Sequence, residues 1–227
     1  MREQIYSDGT YLDRNPTWHA EDSEEKAEQC VGLMTDLGID PATICDVGCG
    51  VGGVLAALRD TYPAAEMTGF DVSATAIERA RQRHPGIRFT VGEVVGKYDV
   101  MLVMDVIEHV EDCFGFTRQL RPHADLVLFH IPLELTCYSL LRNVLMAHRQ
   151  ALGHIHYFTK QTALALLADS GYEVIASRYT PPSEDSAARD LKTRAITGVQ
   201  RAGFRLAPDI SVLVVGGCSL LAAARPQ

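Results

Sequence analysis

The stretch ICDVGCGVGG, residues 44–53, constrains this chain more than any other ten residues. A short apolar run ends in a cluster of glycines, and GGVLAALRDTY then places Val54, Leu55 and Leu58 on one helical face. A strand that turns through glycines straight into a helix opens a βαβ unit. Two spacings overlap in the turn. Gly48, Gly50 and Gly53 form G-x-G-x-x-G, while Asp46, Gly48, Gly50 and Gly52 form D-x-G-x-G-x-G.

The alternation continues. AEMTGFD reads as a second strand, Ser73 as the N-cap of a helix over ATAIERARQRH, and Pro85-Gly86 as its stop. IRFTVG, YDVMLVM and ADLVLFHI supply the third, fourth and fifth strands; KQTALALLADSG is a helix closed by Gly171, and YEVIASRY the sixth strand. Near-continuous apolar strands separated by helices indicate a parallel sheet covered on both faces, and right-handed crossovers make it doubly wound. Residues 181–206 read as a loop and an exposed helix, and a seventh strand is expected at about 211–224. The expected fold is α/β and Rossmann-like: a seven-stranded, mostly parallel sheet with an antiparallel last strand. It forms one domain over residues 41–227, preceded by an N-terminal helical arm at 1–40 and carrying an insertion at about 133–158.

At 227 residues the chain can bury a full core, and a formal charge of -8 disfavours a broad nucleic-acid surface. The first residues show no apolar secretory segment, and the run at 210–224, with Gly216 and Gly217 inside it, is too short to span a membrane. Six cysteines without a C-x-x-C pair fit reduced thiols and a cytoplasmic protein. Homo-oligomerisation is left open.

In such a sheet ligands lie beyond the carboxyl ends of the strands, where the glycine turn, Asp71, Glu93, Asp105 to His109 and His130 to Pro132 all fall. A dinucleotide turn holds a pyrophosphate against a helix N-terminus, and the Asp46 carboxylate beside that anion is a poor arrangement. S-adenosylmethionine has no phosphate, and its ammonium benefits from a nearby carboxylate. Asp46 therefore favours the sulfonium donor, while Asp71, at the end of the second strand, suits the ribose hydroxyls of either ligand.

With FTVGEV, YDVMLVMDVIEHVED and GHIHYFTKQTALALLADSGYEV added, residues 41–180 resemble the class I S-adenosylmethionine-dependent methyltransferases, in their small-molecule branch. The resemblance implies that Asp46, Gly48, Cys49 and Gly50 surround the methionine end of S-adenosylmethionine and that Asp71 holds the ribose, with Val72 against adenine. Glu93, or the backbone of Val94, meets the adenine amino group, and Asp105 and Val106 flank the sulfonium. Gly53 alone is better explained by close helix-to-strand packing.

Methyl transfer from a sulfonium is an in-line displacement, so alignment and exclusion of water are the main tasks. A general base is needed only for a protonated nucleophile. Of His19, His109, His130, His154 and His156, the best placed is His109, just after the fourth strand. His154 and His156 flank Ile155 and in an extended segment face one side, as substrate contacts or as loop fasteners. Trp18 and Tyr157 are candidate aromatic walls of a pocket for a small-molecule acceptor. Leu135, Tyr138, Leu141, Leu145 and His148 recur at helical spacing, as a lid or as core. Asp105, Glu108 and His109 could converge on a divalent cation, but they lack a clear further ligand and no metal is assigned.

Two other readings compete. A nicotinamide-dependent oxidoreductase fits the G-x-G-x-x-G spacing, yet the chain has no Tyr-x-x-x-Lys pair; Tyr157 and Lys160 are three apart. A protein or RNA methyltransferase is disfavoured by the acidic charge and by the lack of an Asn-Pro-Pro-Tyr-type motif after the fourth strand.

Overall fold

The computed structural model describes residues 22–180, 204 and 206–227. Helix α1 (Ser23–Asp36) precedes β1 (Thr43–Val47), α2 (Gly53–Thr61), β2 (Glu66–Asp71), α3 (Ala74–Arg83), β3 (Arg88–Val91) and β4 (Tyr98–Met104). After a 3-10 turn at Ile107–His109 come α4 (Cys113–Gln119) and β5 (Ala124–Pro132), then α5 (Cys137–Leu141), α6 (Val144–Ala151), α7 (Lys160–Asp169), β6 (Tyr172–Thr180), α8 (Pro208–Val215) and β7 (Ser219–Pro226). The strands form one seven-stranded sheet in the order β3-β2-β1-β4-β5-β7-β6. Strands β1 to β5 pair in parallel, and β7 lies antiparallel between β5 and β6.

Alternation along the central strands builds two cores. On β4, Met101 and Val103 face one way with Val127 and Phe129 of β5, whereas Val100, Leu102 and Met104 face the other with Leu126 and Leu128. The second layer also takes Ala27, Cys30, Leu33 and Met34 of α1 and Leu55 and Leu58 of α2. Three consecutive alanines, Ala222 to Ala224, are fully buried in β7, where β5 and β6 crowd it from both edges. The Ser73 hydroxyl accepts from the Ala76 N–H and caps α3 as its sequence suggests.

Two segments differ from expectation. Residues 211–224 do not form a single strand: Pro208–Val215 is a helix, and the strand begins at Ser219. Pro208 sits in the first helical turn, where its missing N–H has no partner to lose, and Gly216 and Gly217 adopt φ of 78° and 82°, which ends the helix. The apolar run is thus divided at its glycines. The insertion is also two helices rather than one, because Asn143, at φ 54°, breaks it between α5 and α6. Consequently Tyr138 and Leu141 are exposed and do not pack as one face. Trp18 and most of the expected loop and helix at 181–206 lie outside the described residues. Among the described residues no helix is long and apolar enough to cross a membrane.

Candidate active site

Strand order reverses between β1 and β4, and the crevice outside their carboxyl ends is the place where such a sheet binds ligands. A cleft of about 1690 Å³ opens there. Single-ligand sites usually span about 300–1,000 Å³, so this one has room for two reactants side by side.

The wall over β1 and β2 is built from backbone. The Gly48 and Cys49 N–H groups donate to the Phe70 carbonyl at 2.8 and 3.0 Å, which fastens the turn to β2. Gly48 has φ 78°, and a Cβ there would stand 2.5 Å from Val106 Cγ2, so the turn and the residue after β4 approach as closely as glycine allows. At Gly53 the close neighbour is the Ser23 side chain of α1, a helix-to-helix contact in place of the expected helix-to-strand one. Asp71 accepts from the Gly50 N–H through Oδ2 at 2.9 Å and from the Ser73 N–H through Oδ1 at 2.7 Å. A carboxylate has about four acceptor positions, so two remain for ligand hydroxyls.

Asp46 is 2% exposed, and its Oδ1 has no hydrogen-bond partner. Burial, reinforced by the charge of Asp71 and opposed by Lys26, pushes its pKa up to about 7. A buried acid with one unpartnered oxygen at the foot of a glycine turn suits a cationic group.

Below β4 lies a linked set of polar residues. Asp105, at φ 55°, receives Lys26 Nζ on Oδ2 at 2.7 Å and lies 2.6 Å from His130 Nδ1 through Oδ1; His130 Nε2 lies 2.8 Å from the Thr180 hydroxyl. Burial alone would raise the Asp105 pKa, but His130 and Lys26 together hold it well below the usual carboxylate range. Asp105 is therefore engaged, and it does not join Glu108 and His109 in the cation cluster its spacing suggested.

Glu108 and His109 turn instead toward the insertion. The His109 and His154 rings meet edge to face at 4.8 Å. Burial, with His154 beside it, lowers the His109 pKa to about 4, whereas burial and the Asp105 charge hold Glu108 well above the usual range. Glu134, just after β5, lies 2.8 Å from His154 Nδ1 through Oε2 and 2.7 Å from His148 Nδ1 through Oε1.

Asp46, Gly48, Cys49, Gly50, Asp71, Val72, Glu93, Val94, Asp105, Val106, His109 and His154 all line the one cleft. Cys49 does so although its own side chain packs into the core, and Val72 and Glu93 are exposed. His156 and Tyr157 are not brought to it. The segment after α6 is irregular rather than extended, and its Ile155 and His156 N–H groups both donate to the Glu108 carbonyl. His154 and His156 therefore diverge. His156 Nε2 bonds the Val110 carbonyl at 2.9 Å, and the Tyr157 hydroxyl donates to the carbonyls of Leu145 and His154. Lys26, Glu134 and His148 were not singled out as site residues by sequence; the available signal for Lys26 is its i+4 spacing from Asp22 on the cleft-facing side of α1.

A mostly parallel doubly wound sheet, a glycine turn led by a buried acid, and a second acid closing β2 define a Rossmann-like protein with a cleft at its switch point. The sequence model of the family described as "Methyltransferase domain" matches residues 20–177, and the chain belongs to that family, within the class I S-adenosylmethionine-dependent methyltransferases. Among curated proteins it is 39% identical over 74 residues to a trans-aconitate 2-methyltransferase of Streptomyces coelicolor, covering 30% of this chain and 24% of that protein. It is 43% identical over 51 residues to a malonyl-[acyl-carrier protein] O-methyltransferase of Anoxybacillus flavithermus, covering 22% and 20%. The chain thus spans about a quarter of the length of these relatives. Among solved structures, the plantazolicin methyltransferase BpumL in complex with SAH superposes with a TM-score of 0.57 at 17% identity, covering 97% of this chain and 88% of that one. At that identity the likeness shows the fold.

Proposed function

We propose that this chain transfers a methyl group from S-adenosylmethionine to an oxygen or nitrogen of a small acceptor. The observation that carries the reading is Asp46, a buried acid with an unpartnered oxygen at the foot of a turn too tight for a side chain at Gly48. These residues fit the donor: Asp46 takes the ammonium, the backbone of Gly48, Cys49 and Gly50 surrounds the amino-acid end, and Asp71 receives the ribose hydroxyls. Val72 lies against adenine, with Glu93 and the Val94 backbone at its edge. When bound, S-adenosylmethionine supplies an electrophilic methyl group on a sulfonium.

The protein's own work is placement. Asp105 and Val106 form the wall where the methyl group is directed, and Asp105 is held from two sides by Lys26 and His130. Well-oriented placement alone can contribute about 7 to 11 kcal/mol to barrier reduction. His109, on the turn after β4 and in the cleft, is kept neutral by its lowered pKa of about 4 and takes the proton of a protonated acceptor only as a weak base whose pKa must rise when the charged ligand binds, and His154 borders the acceptor beside it. The name trans-aconitate 2-methyltransferase on the Streptomyces coelicolor relative supports an acceptor of metabolite size.

Calorimetric titration with S-adenosylmethionine and, in parallel, with NADH tests the reading. Saturable binding of S-adenosylmethionine is expected; saturable binding of NADH alone overturns it.

A further inference from the structure

The insertion carries a constellation that donor binding does not use. Glu134 follows β5, His148 lies on α6 and His154 follows that helix, and each offers one ligand atom such that all three lie within 4.8 Å of one another. The two imidazole Nδ1 atoms approach different oxygens of the same carboxylate, at 2.7 and 2.8 Å. The His154 contact is a hydrogen bond, but the buried His148 Nδ1 has no hydrogen-bond alignment toward any partner despite its 2.7 Å approach. The in-plane direction of that nitrogen, along which either a proton or a lone pair points, therefore lies off the Glu134 oxygen and meets no partner.

A second observation lies behind His154. The Glu108 side chain is 1% exposed, and neither of its oxygens has a hydrogen-bond partner. Leaving such a group unsatisfied is costly, and native folds rarely keep one without a reason. Among the described residues no lysine or arginine bonds to Glu108 or Glu134. Two acids and three imidazoles therefore share one pocket without a cationic side chain bonded to either acid.

We propose that Glu134, His148 and His154 bind one divalent transition-metal ion of the zinc class, with an open coordination position directed into the cleft. Two imidazole nitrogens and one carboxylate suit such an ion, whereas magnesium and calcium take oxygen shells. Ligand bonds of 2.0–2.1 Å in a tetrahedral site separate donor atoms by about 3.3 Å. Two of the separations here, 2.7 and 2.8 Å, are shorter than that value and all three lie within 4.8 Å, so small side-chain rotations complete the set. All three side chains line the cleft, and His148, at 34% side-chain exposure, gives an ion a path of entry. Glu108 has an oxygen within 4.8 Å of a His154 ring nitrogen, near enough that a modest rotation would supply the outer carboxyl partner that ligating histidines usually have. The open position belongs to the half of the cleft built by β5 and the insertion. On the reading that the donor sits over β1 and β2, the ion takes an acceptor oxygen, a hydroxyl or a carboxylate.

Cobalt(II) titration of the full chain, stripped with a chelator, tests this directly, because cobalt in such a site gives visible d–d bands that zinc abolishes by competition. The expected result is one cobalt per chain, no thiolate-to-cobalt charge-transfer band, and a loss of affinity beyond about 100-fold in Glu134→Gln and His148→Asn, more than is typical for an outer partner. Absence of the bands in the wild-type chain, bands unchanged in both variants, or a thiolate band from Cys137 or Cys218 overturns the proposal. S-adenosylmethionine titration of the same samples separates the two readings. Both variants are expected to bind the donor as the wild type does, which shows that they fold. Loss of donor binding in the wild-type chain overturns the methyltransferase reading while leaving cobalt binding to be scored on its own.

Discussion

The two walls of the cleft are built by opposite means. Over β1 and β2 the positions are set by backbone: Gly48 and Cys49 donate to Phe70, Gly50 and Ser73 donate to Asp71, and a Cβ at Gly48 would meet Val106. Across from it, the insertion supplies side chains on two short helices and an irregular segment, with Tyr138, Leu140, Leu141 and Met146 exposed above them. A wall fixed by the sheet suits a reactant that is the same in every turnover. A wall of side chains on an insertion can change its acceptor without disturbing the sheet.

Variants should therefore separate the two walls by the constant they change. The largest effect is expected for His109→Gln, which should lower kcat by about 10²- to 10⁴-fold while leaving the donor Kd unchanged; full turnover at neutral pH removes His109 as a base. Next comes Asp46→Asn, for which calorimetry should show donor affinity weakened by about 3 kcal/mol, because a buried charge pair loses one partner. The same variant should make the ligand-free protein more stable at pH 8. The Asp46 pKa of about 7 lies above its ordinary 3.8, so the stability of the neutral acid is present in full below about pH 3.8 and is lost as pH rises through 7. Relieving that loss is worth on the order of 2 kcal/mol, read as a raised thermal midpoint. Asp71→Ala should weaken donor binding by about 1–3 kcal/mol through lost charged hydrogen bonds; unchanged affinity removes it from the site.

The same division governs what the sequence discloses. Asp46, Gly48, Gly50 and Asp71 lie within 26 residues, on a strand, turn and strand whose order is dictated by local pattern, so the fold and the residues that build this wall of the cleft can be read directly. Glu108, Glu134, His148 and His154 meet only because the insertion folds back over the turn after β4, with Ile155 and His156 donating to the Glu108 carbonyl. No spacing encodes that closure. The run at 210–224 misleads for a related reason: its β-branched residues suit a strand, but the slot between β5 and β6 is filled by Ser219–Pro226, and Pro208 and the two glycines leave the preceding residues to a helix. Lys26 escapes notice because its partner, Asp105, is 79 positions away, across the fold.

The smallest predicted effect distinguishes the walls by proton count. If the donor's ammonium binds ionised Asp46, the acid must lose its proton whenever the ligand-free site holds one, and at about pH 7 half of the molecules do. Donor affinity should then fall about tenfold from pH 7.5 to pH 6, following the protonated fraction. Binding in this range should take up no proton and should release one per donor at the acid end, which buffers of different ionisation enthalpy report in calorimetry. Asp46→Asn should flatten the profile and abolish the release, whereas Glu134→Gln and His148→Asn should leave both as in the wild type. A slope that survives in Asp46→Asn would assign the titrating group to another residue and remove the contrast between a charge-reading donor wall and an insertion that reads the acceptor.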